Sequence, residues 1–128
     1  MVGLDTGYFM AMIKGHSKAL TLWDKLQKSK IPVVSVLTLG ELAYLYYRIG
    51  KPEKGQRLVE NIKILAIIKS VDENIAIRAA SLKHELAIPF IDAIIMATFL
   101  EAGCKEIHTT DKKHFSKLTK KELKLIFY

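Results

Sequence analysis

Apolar positions along this chain follow two alternating rhythms. Short runs in which most residues are apolar or β-branched read as strands: Val2 to Asp5, Pro32 to Val36, Ala66 to Val71, Ile107 to Thr110 and Leu123 to Phe127. Between them, apolar residues recur at helical spacing. Thr6 to Lys14 reads as a helix stopped by Gly15. Lys18 to Lys28 carries the stripe Ala19, Leu22, Trp23 and Leu26, with Ser17 placed to cap it. Leu37 to Ile49 stops at Gly50. Pro52 opens a further helix with the stripe Leu58, Val59, Ile62 and Leu65. Asp72 is placed to cap a helix running to about Glu85, and Phe90 to Ala102 is a nearly all-apolar helix ended by Gly103. Strands alternating with helices predict an α/β domain whose mainly parallel sheet is covered on both faces. Continuous apolar runs are what strands buried on both faces require.

Against that pattern four acids stand out. Asp5 ends the first apolar run, and Glu41 lies in the apolar stretch Val33 to Ala43. Asp92 interrupts Ile88 to Ala97, and Asp111 follows the strand-like Ile107 to Thr110. A buried, unpaired carboxylate costs several kcal/mol or more, so it takes up a proton or finds a cation. In an open parallel sheet, sites form beyond the carboxyl ends of the strands. Asp5 and Asp111 are at such ends, and Asp92 and Glu41 fall in the early turns of helices that follow. All four can therefore face one edge of the sheet. Oxygen-only ligation suits Mg²⁺, with Mn²⁺ as a substitute. Such ions activate water and steady the charge that builds on phosphorus during in-line attack. Each acid also has a purely structural reading. Asp5, Asp92 and Asp111 are each placed to cap a helix, and Glu41 to sit on a solvated helix face.

Length and charge sharpen this picture. The 128 residues suffice for one domain, residues 1–128, with a real core. Twenty basic residues against thirteen acidic give a net charge of +7. An acidic pocket on a basic body suits a polyanion cut at a metal site. Lys112, Lys113, Lys117, Lys120, Lys121 and Lys124 form a basic region suited to phosphate contact or simply to solvent. The lone Cys104 excludes an internal disulfide and, with no secretory leader pattern at the start, predicts a cytoplasmic protein. The longest apolar stretch, Ile88 to Leu100, is too short for a membrane span and contains Pro89 and Asp92. His16, His84, His108 and His114 lack zinc-ligand spacing and read as surface or packing residues. No Gly-rich phosphate loop is present. The segment Leu37 to Ile49 leaves little polar face, which predicts burial against more than one neighbour or a subunit interface.

Four motifs in order carry a resemblance to a known family. They are Leu4-Asp5-Thr6, then Ser35 to Leu42 ending Gly40-Glu41-Leu42, then Asp92-Ala93-Ile94-Ile95-Met96-Ala97-Thr98, and finally Thr109-Thr110-Asp111-Lys112-Lys113-His114-Phe115. With these the chain resembles the PIN-domain ribonucleases, and among them the VapC-like toxins of toxin–antitoxin pairs. The resemblance implies a three-layer fold with strand order 3-2-1-4-5 and Mg²⁺- or Mn²⁺-dependent cleavage of RNA. It implies that Asp5, Glu41, Asp92 and Asp111 hold the metal and act in catalysis, with Thr6 and Thr110 in support. It implies an antitoxin protein as partner and a homodimer. Gly7 departs from the family, which often has Asn or Ser there, and a hydrogen bond near the acids goes with it. Three other readings compete: a housekeeping PIN nuclease in RNA processing, a non-catalytic RNA-binding PIN domain, and a phosphoacceptor receiver domain. The last usually pairs two acids at its first strand, where this chain has only Asp5.

Overall fold

A computed structural model describes all 128 residues, the side chain of Gln27 apart. The chain runs β1 (Val2–Leu4), α1 (Thr6–Ile13), α2 (Ser17–Ser29), β2 (Pro32–Ser35), α3 (Val36–Arg48), α4 (Pro52–Leu65), β3 (Ile67–Lys69), α5 (Glu73–Leu86), α6 (Phe90–Glu101), β4 (Glu106–Thr109), α7 (Lys112–Phe115) and β5 (Lys124–Phe127). The five strands form one sheet in the order β3-β2-β1-β4-β5, and every pairing is parallel. The expected order and the α/β class are those observed.

Two hydrophobic clusters lie on opposite faces of the sheet. Adjacent strand residues point to opposite faces, and Val33 belongs to one cluster while Val34 belongs to the other. One face is packed by α5, α6 and the residues around α7, through Ile75, Leu82, Ile95, Phe99 and Phe115. The other is packed by α1 to α4, through Tyr8, Phe9, Leu26, Leu42 and Ile62. Burying each apolar side chain contributes about 1.5–3 kcal/mol, so these faces hold the sheet between its helices. Gly3 permits close packing: a Cβ there would lie 2.6 Å from the ring of Phe99 on α6. A glycine in the central strand thus lets the helix carrying Asp92 seat directly on β1.

Several boundaries differ from the sequence reading for local reasons. Val36 begins α3 instead of ending β2, because the Ser35 hydroxyl accepts the Leu37 amide and caps the helix there. Ser17 is the first residue of α2 and not its cap; His16 holds the cap position and makes no side-chain cap bond. β3 is shorter than expected and lies at the sheet edge, so Ile67 is 40% exposed where a fully buried strand was expected. The single-turn α7 was expected only as a capped turn. Asp72 caps α5 as predicted, accepting the Ile75 amide at 2.9 Å. On α3 the inner side buries Thr38, Leu42 and Tyr46, whereas Tyr44 and Tyr47 are 62% and 69% exposed. Packing within the chain therefore does not cover that helix all round. Among the described residues, no helix is long and apolar enough to cross a membrane.

Candidate metal centre

The carboxyl ends of β1, β2 and β4 open onto one edge of the sheet, and the chain leaves each through a helix. Asp5 follows β1 and caps α1: its Oδ1 accepts the Tyr8 amide at 2.9 Å. The same residue is therefore both a helix cap and a buried acid, only 5% exposed. Its Oδ2 accepts a short hydrogen bond from the Thr109 hydroxyl at the end of β4. Thr109 Oγ1 also accepts the Asp111 amide at 2.9 Å, so a single hydroxyl ties the first acid to the last.

Asp111 caps α7, with Oδ1 accepting the His114 amide at 3.1 Å. Its Oδ2 lies 2.7 Å from His114 Nδ1, and that nitrogen is also 3.1 Å from Asp92 Oδ2. Asp92 is in the first turn of α6, where the macrodipole favours an anion. It makes no cap bond, so its placement serves no visible helix-ending role. Glu41, in the second turn of α3, is exposed; Thr6 Oγ1 donates to its Oε1 at 2.6 Å and lies 3.0 Å from Thr38 Oγ1.

The electrostatics join these acids. Burial pushes the Asp5 carboxyl up to about 7, opposed by the Thr109 and Tyr8 hydrogen bonds and reinforced by the charges of Asp111 and Asp92. Burial also raises Asp92, with Asp111 and Glu41 adding to the rise and His114 reducing it. Asp5 and Asp92 thus each feel the charge of other acids in the group. The donor set fits a hard divalent cation: carboxylate oxygens crowded together, with protons or repulsion the alternative to an ion.

The structure adds one supporting residue to those expected and corrects the reading of another. The Thr109 hydroxyl bonds both Asp5 and the Asp111 amide, Thr6 bonds Glu41, and Thr110 is exposed. Thr110 instead fills the space beside Gly7, where an added Cβ would overlap its Oγ1 and come 3.1 Å from its amide nitrogen. The close approach of the β4 end accounts for a glycine at position 7. His114 is not a remote surface or packing residue, since its ring stands among Asp92 and Asp111, all three donors lying within 4.8 Å of one another. The signal was its spacing of three residues from Asp111, which on a single helical turn returns the side chain to its cap. His108, by contrast, packs as expected: it is buried, with Nδ1 2.7 Å from the Tyr128 hydroxyl and Nε2 2.6 Å from Glu106 Oε1.

The raised Asp5 carboxyl has a measurable consequence. A group whose folded pKa lies above its unfolded value contributes stability that is complete below the unfolded value and is lost as pH rises through the folded one. Metal-free protein should therefore lose stability between about pH 4 and pH 7, by on the order of 4 kcal/mol at most from this residue. Urea midpoints of wild type and Asp5→Asn across that range isolate the effect from His108 and Glu106, which pull the other way. Parallel pH profiles for the two proteins would refute the assignment.

Comparison with known proteins agrees with this architecture. No curated protein sequence matches the chain. Solved structures with the same fold include VapBC2 from Rickettsia felis bound to a DNA fragment from its promoter, with TM-score 0.81, 20% identity and coverage of 100% of this chain and 99% of that one. VapBC-1 from nontypeable Haemophilus influenzae superposes with TM-score 0.80 at 19% identity, covering 99% and 98%. VapC20 from Mycobacterium tuberculosis, a sarcin–ricin loop cleaving toxin, gives TM-score 0.73 at 19% identity over 94% and 97%. At such identities the likeness concerns the fold. The sequence profile described as the PIN domain matches residues 2–121, which replaces the receiver-domain alternative. On that match over nearly its whole length, the chain belongs to the PIN-domain family.

Proposed function

We propose that this protein is a metal-dependent endoribonuclease, the toxin of a toxin–antitoxin pair. The observation that supports it most is the gathering of Asp5, Asp92 and Asp111 at one sheet edge, with Glu41 electrostatically coupled to Asp92. Asp5, Asp92 and Asp111 would hold Mg²⁺ or Mn²⁺, and Glu41 would complete the site from α3. When bound, the ion supplies an activated water and stabilises charge on the scissile phosphate. The chain's own contribution is orientation. Thr109 fixes Asp5 and Asp111 relative to each other, and Thr6 fixes the Glu41 carboxylate. Lys112 and Lys113 on α7 stand next to Asp111 and offer phosphate contacts to an RNA strand.

The toxin role is favoured over a housekeeping nuclease by two observations. The similar solved structures include toxin–antitoxin complexes from several bacteria. The exposed aromatic face of α3, with Tyr44 and Tyr47, suits a protein partner, an antitoxin or a second copy forming a homodimer. On this reading the protein acts on RNA in the cytoplasm.

The test is RNA cleavage by purified protein with Mg²⁺ or Mn²⁺, and again after stripping and excess EDTA. Cleavage should appear with the ion and vanish without it. Full activity in EDTA would rule the mechanism out. An adjacent small gene whose product binds the protein and suppresses cleavage would establish the toxin role; a nuclease without such a gene would favour RNA processing.

A further inference from the structure

The active-site edge contains one donor that is not an oxygen. His114 is held in place from two sides. Its backbone amide is capped by Asp111 Oδ1, and the next residue, Phe115, is 1% exposed and anchors α7 in the core. The ring therefore has a fixed origin on a one-turn helix. Asp111 divides its carboxylate: Oδ1 serves the helix cap, while Oδ2 turns toward the ring. Asp92 Oδ2 approaches the same ring nitrogen from α6.

The ring nitrogen and the two carboxylates stand close enough to share one ion, their donor atoms all lying within 4.8 Å of one another. Donors in adjacent positions of an octahedral ion with bonds of about 2.1 Å are about 3 Å apart. His114 Nδ1 is 2.7 Å from one carboxylate oxygen and 3.1 Å from the other. Without an ion, a hydrogen on Nδ1 satisfies the carboxylates. An ion at Nδ1 takes the place of that hydrogen, which the neutral ring then carries on Nε2 instead. The other three histidines are engaged or distant: His108 bonds Glu106 and Tyr128, His16 packs on Tyr128, and His84 is in the last turn of α5.

We propose that His114 Nδ1 is a ligand of the active-site ion together with Asp92 and Asp111, giving a mixed nitrogen–oxygen site that prefers Mn²⁺ to Mg²⁺. The inference rests on the reading that these acids hold a metal. Imidazole is a poor partner for Mg²⁺ and a better one for transition ions, so a nitrogen ligand shifts the preference in that direction. The competing role for His114 is positional, holding Asp111 by a hydrogen bond while its ring stays outside the coordination sphere.

Pulsed electron paramagnetic resonance of Mn²⁺ bound to the full chain separates the two roles, because only a coordinated imidazole nitrogen gives strong ¹⁴N modulation. Calorimetric titration with Mn²⁺ and with Mg²⁺ accompanies it, for wild type, His114→Ala, His114→Gln and Asp92→Asn. Wild type should show the nitrogen signal and both His114 variants should lack it. Mn²⁺ affinity should fall at least about tenfold in His114→Ala, and Mg²⁺ affinity by about threefold or less. Bound Mn²⁺ that depends on Asp92 but shows no nitrogen signal in wild type, or keeps it in His114→Ala, would overturn the ligand role and leave the metal-nuclease reading standing. Absence of Mn²⁺ binding, or binding indifferent to Asp92→Asn, would overturn both.

Discussion

Asp92→Asn should reduce RNA cleavage by about a thousandfold or more while leaving the metal-free protein at least as stable as wild type. The loss of activity follows from removing a carboxylate that the proposed mechanism uses to hold the ion. The stability expectation follows from what Asp92 does not do. It caps no amide, and burial together with Asp111 and Glu41 opposes its charge. Asn keeps the size and removes the repulsion; what it gives up is the attraction of His114, which is worth little at a part-exposed position. Wild type should gain stability on adding Mn²⁺, about 2.7 kcal/mol at a hundredfold excess over Kd, and Asp92→Asn should lose most of that gain. Thermal melts of both proteins with and without Mn²⁺ measure all of this. A metal-free Asp92→Asn that melts far below wild type would show that Asp92 is a structural residue, and the catalytic reading would lose its most distinctive member.

Thr109→Val should be the most damaging change at a residue that holds no metal. The side chain is fully buried, and its hydroxyl both donates to Asp5 and accepts from the Asp111 amide. Valine fills the same space but leaves two polar groups unpartnered, at a cost of about 2–4 kcal/mol. It also removes the hydrogen bond that offsets burial at Asp5, so that carboxyl rises further and ionises less at neutral pH. Activity should drop by about 10–100-fold, as for other partners that orient metal ligands. Thr109→Ser should retain most of both properties. Thr110→Val, at an exposed position, should change stability by no more than about 0.5 kcal/mol. Urea melts and cleavage rates of the three variants decide the matter; Thr110→Val proving worse than Thr109→Val would place the support at the wrong hydroxyl.

These two variants also mark where sequence reasoning reached its limit. Asp92 was legible because a charge inside Ile88 to Ala97 conflicts with its surroundings, and such conflicts are local. Asp5 stood out for the same reason, and its expected cap role and its burial are both present. Thr109 and Thr110 are chemically identical neighbours. Choosing between them requires the position at which β4 ends against β1, and that is fixed by the pairing Leu4 with His108. His114 carried a weak signal, three residues beyond Asp111, but zinc-type spacing was the wrong template for it.

Alternation of short apolar runs with helical stripes was sufficient to determine the α/β class, since each strand and helix must bury its own apolar face whatever its neighbours. The cap at Asp72 and the stops at Gly15, Gly50 and Gly103 are likewise properties of single helix ends, whereas Ser35, read as part of the second strand, caps α3 instead. The glycine stops adopt positive φ, where a side chain would be strained. Tertiary structure decided which hydroxyl meets Asp5, why position 7 has no room for a side chain, and that His114 joins the acids. Each of these joins segments far apart in the chain, such as Asp5 with Thr109 and Asp92 with His114. Such pairings depend on strand register and helix seating, which arise from the summed packing of both sheet faces and not from any one segment.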